Sequence, residues 1–271
     1  MKAALIQMRT VFDKAENLRH ARELIDEAAK NGADLCVLPE MFCCEYRNRS
    51  FIENQEPAGG PAWQMLSAAA RENRVWLIGG SVPEAEDGKL YNTSFVFDRE
   101  GNQAARCRKS HLFDIAVEGG QHFKESATFT PGDEICSFDT EFGRLGLCIC
   151  FDMRFPELAR IMSLDGAWAV FCPASFNMTT GPAHWEIMFR SRAVESQVYA
   201  LGCAPARDEQ GSYVSYANSI AVSPWGDVLA RAGAEETTLY VELDPAYVES
   251  IRAQLPLMSA RRTDMYTLRR V

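Results

Sequence analysis

The stretch GLCICFDMRFPEL, residues 146–158, joins a strand pattern to a helix pattern across a sharp turn. The preceding residues alternate as a strand, and a helix pattern opens at Pro156. Cys148 lies inside the strand, where a thiol usually packs as a small apolar side chain. Cys150 lies at its carboxyl end, where α/β sheets bind ligands and a tight turn presents a nucleophile. The spacing favours Cys150 as the reactive thiol, although two core thiols are the better interpretation of this segment on its own.

Outward from this stretch, short apolar strand patterns alternate with helix patterns along the chain. A helix is predicted over residues 14–32, with Asp13 as its cap and Gly32 as its stop. Hairpins are predicted over 92–111, 134–150 and 218–233, further strands over 2–8, 34–40, 75–82, 167–176, 198–206 and 237–243, and further helices over 61–74, 156–166, 183–197 and 245–256. No linker or repeat divides the chain. This order predicts one α/β domain with mixed sheets, and a sandwich of two sheets with helices outside would accommodate it.

Composition narrows the range of partners. The net charge is −9 and no block of lysine and arginine interrupts it, which argues against nucleic acid or an anionic membrane surface as a partner. No apolar run reaches the ~18 residues that a membrane span needs. The segment MKAALIQMRTVFD becomes polar too soon for a signal peptide. We therefore expect neither a nucleic-acid partner nor a membrane partner, and the acidity favours solubility without indicating a function.

The cysteines point to a reducing compartment. There are nine, an odd count, and neither a Cys-x-x-Cys pair nor a Cys/His cluster is present. A disulfide framework or a zinc site is thus not expected, and reduced thiols in the cytoplasm are the simpler interpretation.

A nucleophilic thiol needs a base or a cation beside it. None of the four histidines lies in a local catalytic signature. Glu40 ends a buried strand directly after a proline in VLPEMF, where a carboxylate is costly to bury unless it is paired. Lys109 lies near the end of ARCRKSHLFD. Each of these residues alone is more typical of a structural role, but acid, ammonium and thiol all fall at the ends of strand-like segments, which favours catalysis.

Taken together, Glu40 in VLPEMF, Lys109 in RKSHLFD and Cys150 in CFDMRFPE resemble the three motifs of the carbon–nitrogen hydrolase (nitrilase) superfamily. The motifs come in the family's order, and the resemblance covers nearly the whole chain. It implies a four-layer α-β-β-α sandwich forming one domain over residues 1–271, and a homodimer or a higher homo-oligomer. It also implies that Cys150, rather than Cys148, is the nucleophile. The glutamate of FKES, Glu125, is then a catalytic residue that positions Lys109 and the substrate.

Within that superfamily the chain is most similar to the omega-amidase branch, through stretches such as FNMTTGPAHWE and SPWGDVLARAG. This likeness implies hydrolysis of the ω-amide of 2-oxoglutaramate or 2-oxosuccinamate, with no metal and no cofactor. Arg154 and Thr180 are expected to hold the far carboxylate of the substrate, and Tyr46 and Phe151 are expected to line its site. An ion pair of Arg154 with Asp152 or Glu157 is the structural alternative.

One loop departs from the pattern of the relatives. EMFCCEYRNRSF carries Cys43 and Cys44 before Tyr46, and Arg47 after it, where the relatives usually have a small or polar pair and a glycine. This loop borders the pocket in relatives, so its difference leaves the exact substrate open. The alternative substrates are deaminated glutathione and an N-carbamoyl amine, which the same catalytic residues would hydrolyse.

Two further classes of function compete with the amidase. A non-catalytic scaffold protein with the same fold predicts that at least one of Glu40, Lys109 and Cys150 is absent, yet all three are present. A thiol redox protein would use Cys148 and Cys150 as its pair. Hydrolysis of nitriles is a weaker alternative, since nothing in the sequence indicates a large apolar pocket.

Overall fold

Two β-sheets form the centre of the molecule, and the computed structural model describes residues 1–270 of the chain. The strands are β1 (Lys2–Gln7), β2 (Leu35–Val37), β3 (Trp76–Ile78), β4 (Val82–Glu86), β5 (Lys89–Phe97), β6 (Gln103–Arg108), β7 (Asp114–Ala116), β8 (His122–Lys124), β9 (Cys136–Thr140), β10 (Gly143–Leu147), β11 (Ala169–Pro173), β12 (Tyr199–Cys203), β13 (Ile220–Val222), β14 (Val228–Arg231) and β15 (Thr237–Glu242). The helices are α1 (Lys14–Lys30), α2 (Asn48–Glu53), α3 (Pro61–Asn73), α4 (Pro156–Leu164), α5 (Gly181–Ser196) and α6 (Pro245–Gln254), and 3₁₀ turns cover Glu125–Ala127 and Cys150–Arg154.

Both sheets place parallel strands at their centre. The first sheet has seven strands in the order β15-β1-β2-β3-β5-β4, with β6 paired to β5. The second has six strands in the order β14-β13-β12-β11-β10-β9. Strands β1 to β3 are parallel, as are β10 to β12, and antiparallel strands flank each set. Helices α1, α3, α4 and α5 supply the crossovers that parallel neighbours require.

Side-chain alternation along β1 builds the layers. Ala3 and Leu5 face the core between the sheets, where they join residues of the second sheet such as Leu145. Ala4 and Ile6 face the opposite way and pack under α1 and α3. Helices α4 and α5 cover the outer face of the second sheet in the same manner. The predicted four-layer α-β-β-α sandwich is therefore confirmed.

Most predicted helices and strands are present, but they cover fewer residues than predicted. The Asp13 carboxylate accepts a hydrogen bond from the backbone N–H of Glu16 and caps α1, as predicted. The strand predicted over 75–82 divides, because Gly80 adopts a left-handed φ of +57° and the chain bends there before β4. The short elements α2, β4, β7 and β8 were not predicted, since three to six residues carry too little periodicity.

The cysteine prediction is wrong at one pair. Cys107 in β6 and Cys136 in β9 form a disulfide that joins the two sheets, with their Cα atoms 5.7 Å apart. Strands β6 and β9 belong to different sheets and pack against each other, which a sequence separation of 29 residues does not reveal. The other seven cysteines are free and buried.

Candidate active site

Glu40 lies just beyond β2, in a segment that a neighbouring turn holds in place. The backbone N–H of Ser81 donates to the Pro39 carbonyl at 3.3 Å, and the Ser81 hydroxyl accepts from the N–H of Met41 at 3.0 Å. Met41 has a φ of +54°, a left-handed conformation that is unfavourable for a side chain with a Cβ. The fold thus keeps a costly backbone conformation directly after the Glu40 carboxylate.

Lys109 follows β6 and is anchored by its main chain. Its N–H donates to the Asn92 carbonyl on β5 at 2.8 Å, and its own carbonyl accepts from Gly132 at 2.8 Å. Glu125 opens the 3₁₀ turn after β8, and its Oε2 accepts from the N–H of Phe113 at 2.6 Å. These contacts aim the ammonium and the second carboxylate at the same buried point.

The structure brings Glu40, Lys109 and Glu125 into one cluster. The Lys109 Nζ lies 2.8 Å from Glu40 Oε1 and 2.8 Å from Glu125 Oε2, and all three side chains are 0% exposed. Asn92 Nδ2 donates to Glu40 Oε1 at 2.9 Å and to Glu125 Oε1 at 3.1 Å. The Tyr46 hydroxyl is the third donor to Glu40 Oε1, at 3.4 Å. The other oxygen of this carboxylate, Oε2, is buried and has no hydrogen-bond partner within residues 1–270.

Cys150 begins the turn that follows β10, with a φ of +48°. Asp152 fixes this turn, because its Oδ2 accepts from the N–H of Ile149 at 3.1 Å. The Oδ1 of the same carboxylate accepts from the N–H of His111 at 2.8 Å. A single buried aspartate therefore ties the turn of the thiol to the loop that follows Lys109.

The Cys150 thiol is a neighbour of the Glu40 carboxylate and of Lys109. Burial, together with the negative charge of Glu40, raises the pKa of Cys150 well above its ordinary value, while Lys109 opposes the shift. Burial also raises the pKa of Glu40, again against the influence of Lys109. Burial alone would lower the pKa of Lys109, but the charges of Glu125 and Glu40 outweigh it and raise that pKa well above its usual value. The resting site therefore holds a protonated thiol, a charged ammonium and a carboxylate with enhanced proton affinity.

A pocket opens beside this cluster. Glu40, Tyr46, Ser175 and Tyr213 are among its lining residues. The rings of Tyr46 and Tyr213 lie 4.6 Å apart, and the Tyr213 hydroxyl donates to the Ser175 carbonyl at 2.5 Å. The lining of the pocket therefore combines tyrosine rings with carboxylates, of which Glu40 belongs to the buried cluster.

Arg154 ends the turn that Cys150 begins. Its guanidinium lies 4.7 Å from the ring centre of Phe176 and 5.7 Å from that of Phe151. Within residues 1–270 it forms no salt bridge, so the predicted alternative of a structural ion pair is wrong. Its nearest polar partner is His184, whose Nδ1 lies 3.1 Å from Arg154 Nη1. Burial lowers the pKa of this arginine from its usual value.

Thr180 lies at the start of α5, one turn before His184. The His184 N–H donates to the Thr180 carbonyl at 2.8 Å, so the threonine and the guanidinium are brought to the same region through one histidine. The Thr180 hydroxyl and N–H both donate to Asn177 Oδ1, at 3.2 and 2.8 Å.

The loop EMFCCEYRNRSF, which differs from the pattern of the relatives, buries its two cysteines and leaves its first arginine, Arg47, partly exposed. Cys43 and Cys44 are buried in the core under α1 and α3. Arg47 pairs with Glu45 at 2.8 Å and lies over the ring of Phe12 at 5.8 Å. Neither contact of Arg47 involves the buried cluster. Phe151 is half-buried and packs against Phe113 and Phe155.

Sequence reasoning missed three residues of the site. Asn92 lies in a strand pattern, KLYNTS, where a lone polar residue gives no sign that it touches two carboxylates. Tyr213 and Ser175 come from loops whose approach to the pocket depends on tertiary packing. Asn92 offered one signal, because a polar amide between apolar strand residues is costly unless it is hydrogen-bonded.

Within residues 1–270 the structure contains neither a metal-binding cluster nor a membrane-spanning helix. No group of three histidine, cysteine, aspartate or glutamate side chains has the geometry of a metal site. Likewise, none of the helices in the described part of the chain is long and apolar enough to cross a membrane.

Comparison with known proteins places this geometry in a family. The model of the carbon–nitrogen hydrolase family matches residues 2–253. The chain belongs to the carbon–nitrogen hydrolase family, and the predicted class, an amide-hydrolysing enzyme, is confirmed.

Several relatives are similar over almost their whole length. The chain is 46% identical over 267 residues to the protein named Omega-amidase NIT2 from Mus musculus, covering 98% of this chain and 97% of that protein. The crystal structure of Saccharomyces cerevisiae Nit3, a member of branch 10 of the nitrilase superfamily, is 40% identical, with a TM-score of 0.89 and coverage of 97% and 96% of the two chains.

A third relative carries chemical information. A variant of the amidase from Nesterenkonia sp. AN1, in which acrylamide has undergone Michael addition at the active site cysteine, is 27% identical with a TM-score of 0.78, covering 94% of this chain and 98% of that one.

Proposed function

We propose that this enzyme is a thiol-dependent omega-amidase that hydrolyses the ω-amide of short 2-oxo dicarboxylic acid monoamides, 2-oxoglutaramate and 2-oxosuccinamate. The observation that carries the choice of substrate is Arg154, a partly buried guanidinium with no carboxylate partner within residues 1–270, on the same turn as Cys150. A planar guanidinium binds a carboxylate through two parallel hydrogen bonds. The relatives named as omega-amidases support the same choice.

In the proposed reaction, Cys150, Glu40, Lys109 and Glu125 are the catalytic residues. The substrate lies between Cys150 and Arg154, with Thr180 also binding its distant carboxylate and with Tyr46 and Phe151 lining its site. As Sγ attacks the amide carbon, the thiol proton passes to the Glu40 carboxylate, whose Oε2 has no competing hydrogen bond. The C=O bond opens to an oxyanion.

Lys109 and a backbone N–H near Phe151 stabilise that oxyanion. One such preorganised donor contributes about 3 kcal/mol to the transition state. Glu125 holds the ammonium from the opposite side at 2.8 Å. Because the ammonium carries two carboxylate contacts before the substrate enters, its position does not depend on the substrate.

Collapse of the intermediate breaks the C–N bond. Glu40 returns its proton to the nitrogen, ammonia leaves and a thioester remains on Cys150. A water molecule then gives a proton to Glu40 and attacks the thioester, and the proton returns to the sulfur as the 2-oxo acid is released. Glu40 therefore acts as base and acid twice in each turnover, which suits a carboxylate whose pKa is raised by burial.

The experiment is ammonia release by the purified protein from 2-oxosuccinamate, 2-oxoglutaramate, deaminated glutathione and an N-carbamoyl amine. We expect the highest kcat/KM with the two oxo-acid amides. Cys150→Ala abolishes turnover, and Cys148→Ala is the matched control because it removes a buried thiol two residues away. Equal activity of Cys150→Ala and wild type, or a preference for either of the other two substrates, contradicts the proposal.

We further propose that the whole chain, residues 1–271, is one domain that acts in the cytoplasm as a homodimer or larger homo-oligomer. The family resemblance supports the assembly. The seven free cysteines agree with a reducing compartment, whereas the Cys107–Cys136 bond is the feature that disagrees with it. Light scattering on the eluting protein tests the assembly, because a mass equal to one chain would exclude it.

A further inference from the structure

Asn92 touches both carboxylates of the buried cluster, although it lies outside the three motif stretches of Glu40, Lys109 and Cys150. It lies on β5, 1% exposed, between β4 and β6. Its Nδ2 donates to Glu40 Oε1 at 2.9 Å and to Glu125 Oε1 at 3.1 Å. A primary amide has two N–H donors, and here both serve carboxylates.

The main chain of Asn92 supports the third member of the same cluster. Its carbonyl accepts from the N–H of Lys109 at 2.8 Å. One residue therefore fixes the lysine through its backbone and the two glutamates through its side chain. With both carboxylates ionised, the cluster contains two negative charges and one positive charge in a site without solvent exposure. The amide supplies neutral donors, so the cluster keeps a net charge of −1, which a second ammonium in its place would cancel.

A purely structural role explains this arrangement poorly. The Asn92 Oδ1 is buried and has no hydrogen-bond partner within residues 1–270, which costs stability. An apolar side chain of similar shape would avoid that cost but would remove the donor to Glu40. The observed residue keeps the donor at the expense of an unsatisfied acceptor.

We propose that Asn92 is a positioning residue that keeps Glu40 ionised and correctly oriented to take the proton of Cys150. This inference rests on the proposed role of Glu40. A donor to a carboxylate stabilises the charged form, so removing it raises the pH at which Glu40 becomes an effective base. Activity that needs ionised Glu40 then begins at a higher pH.

The test compares Asn92→Ala and Asn92→Ser with wild type. We expect kcat/KM of Asn92→Ala at neutral pH to fall roughly ten- to a hundredfold, the range expected for a hydrogen bond to a charged group. The acid limb of its pH profile moves to higher pH, with kcat affected more than KM. Asn92→Ser keeps one donor and recovers part of the loss, and it also serves if Asn92→Ala does not fold.

Thr93→Val is the matched control. Thr93 is the next residue on β5, is fully buried, and donates to a different carboxylate, Glu84, at 2.7 Å. We expect this variant to lose stability while its pH profile stays where the wild-type profile lies. An unmoved acid limb in Asn92→Ala and Asn92→Ser, or the same kinetic change in Thr93→Val, overturns the inference.

A second readout needs no substrate. The rate at which iodoacetamide alkylates Cys150, followed on the peptide that contains it, reports proton transfer to Glu40 as pH changes. The pH at which this alkylation rate reaches half of its maximum is expected to rise in Asn92→Ala. If the amides tested are not substrates but this midpoint moves, the proposed substrate fails while the role of Asn92 stands. If the midpoint does not move, the role of Asn92 fails.

Discussion

Replacing Glu40 by glutamine separates catalysis from stability at this site. Glutamine keeps the shape of the side chain and removes its charge and its basicity. Lys109 then remains paired with Glu125 at 2.8 Å, so no buried charge is left without a counter-ion. The cluster changes from two carboxylates and one ammonium to a balanced pair. Because breaking a buried pair is costly mainly when a lone charge remains, the free energy of unfolding should fall by less than about 1–2 kcal/mol.

The catalytic loss is expected to be much larger. Burial is the largest cause that raises the pKa of the Cys150 thiol well above its ordinary value, and this burial persists in Glu40→Gln. The thiol therefore still needs a base to take its proton at pH 7. General base catalysis contributes roughly 10²- to 10⁴-fold. We therefore expect Glu40→Gln to lower kcat/KM by at least about a hundredfold, equivalent to about 3 kcal/mol in the transition state.

The assay is ammonia release from 2-oxosuccinamate, combined with urea denaturation. Glu84→Gln is the matched control, because Glu84 is also buried and paired with cations, Arg106 at 2.7 Å and Arg108 at 3.0 Å, away from the cluster. It should lose stability and keep kcat/KM within about threefold. More than a tenth of wild-type kcat/KM in Glu40→Gln, or a loss of stability greater than that of Glu84→Gln, would refute the reasoning.

Three further predictions concern charge and cross-links. Lys109→Met leaves two buried carboxylates without a counter-ion and should lower the free energy of unfolding by about 3–5 kcal/mol in urea denaturation at neutral pH, with partial recovery in acid; no loss would contradict the ion pairing. Arg154→Met should raise KM for 2-oxosuccinamate roughly ten- to a hundredfold and leave a neutral amide such as propionamide almost unchanged, whereas equal effects on both would exclude a carboxylate contact. Reduction of the Cys107–Cys136 bond should lower the free energy of unfolding by about 3–4 kcal/mol, given its separation of 29 residues, and nine titratable thiols in the untreated protein would show that the bond does not form.

The sequence was most informative where its pattern is periodic. Apolar alternation in β1 and the one-sided helix α1 follow from local chemistry, and both are present near their predicted bounds. The layered arrangement of the two sheets did not come from the pattern alone, because periodicity gives the faces of elements but not their partners. The resemblance to the family's motifs supplied the prediction of the four-layer arrangement.

The residues of the site also fall into those that the sequence could identify and those that depend on tertiary packing. Glu40, Lys109 and Glu125 could be named because each lies in a recognisable motif. The structure brings both carboxylates within hydrogen-bond distance of the Lys109 ammonium. Asn92 could not be named, because its role depends on the register of β5 against β6. The Cys107–Cys136 bond escaped prediction for a similar reason, since it joins strands of different sheets.

The catalytic groups come from both halves of the sandwich. Glu40 and Lys109 extend from strands of the seven-stranded sheet, whereas Cys150 extends from the six-stranded one. During refolding, neither half can acquire activity by itself, however much secondary structure it has regained. Regain of turnover therefore marks the docking of the two halves, which depends on contacts between residues far apart in the chain and is a slow event. The rate at which turnover recovers during refolding therefore measures the rate of the last stage of folding.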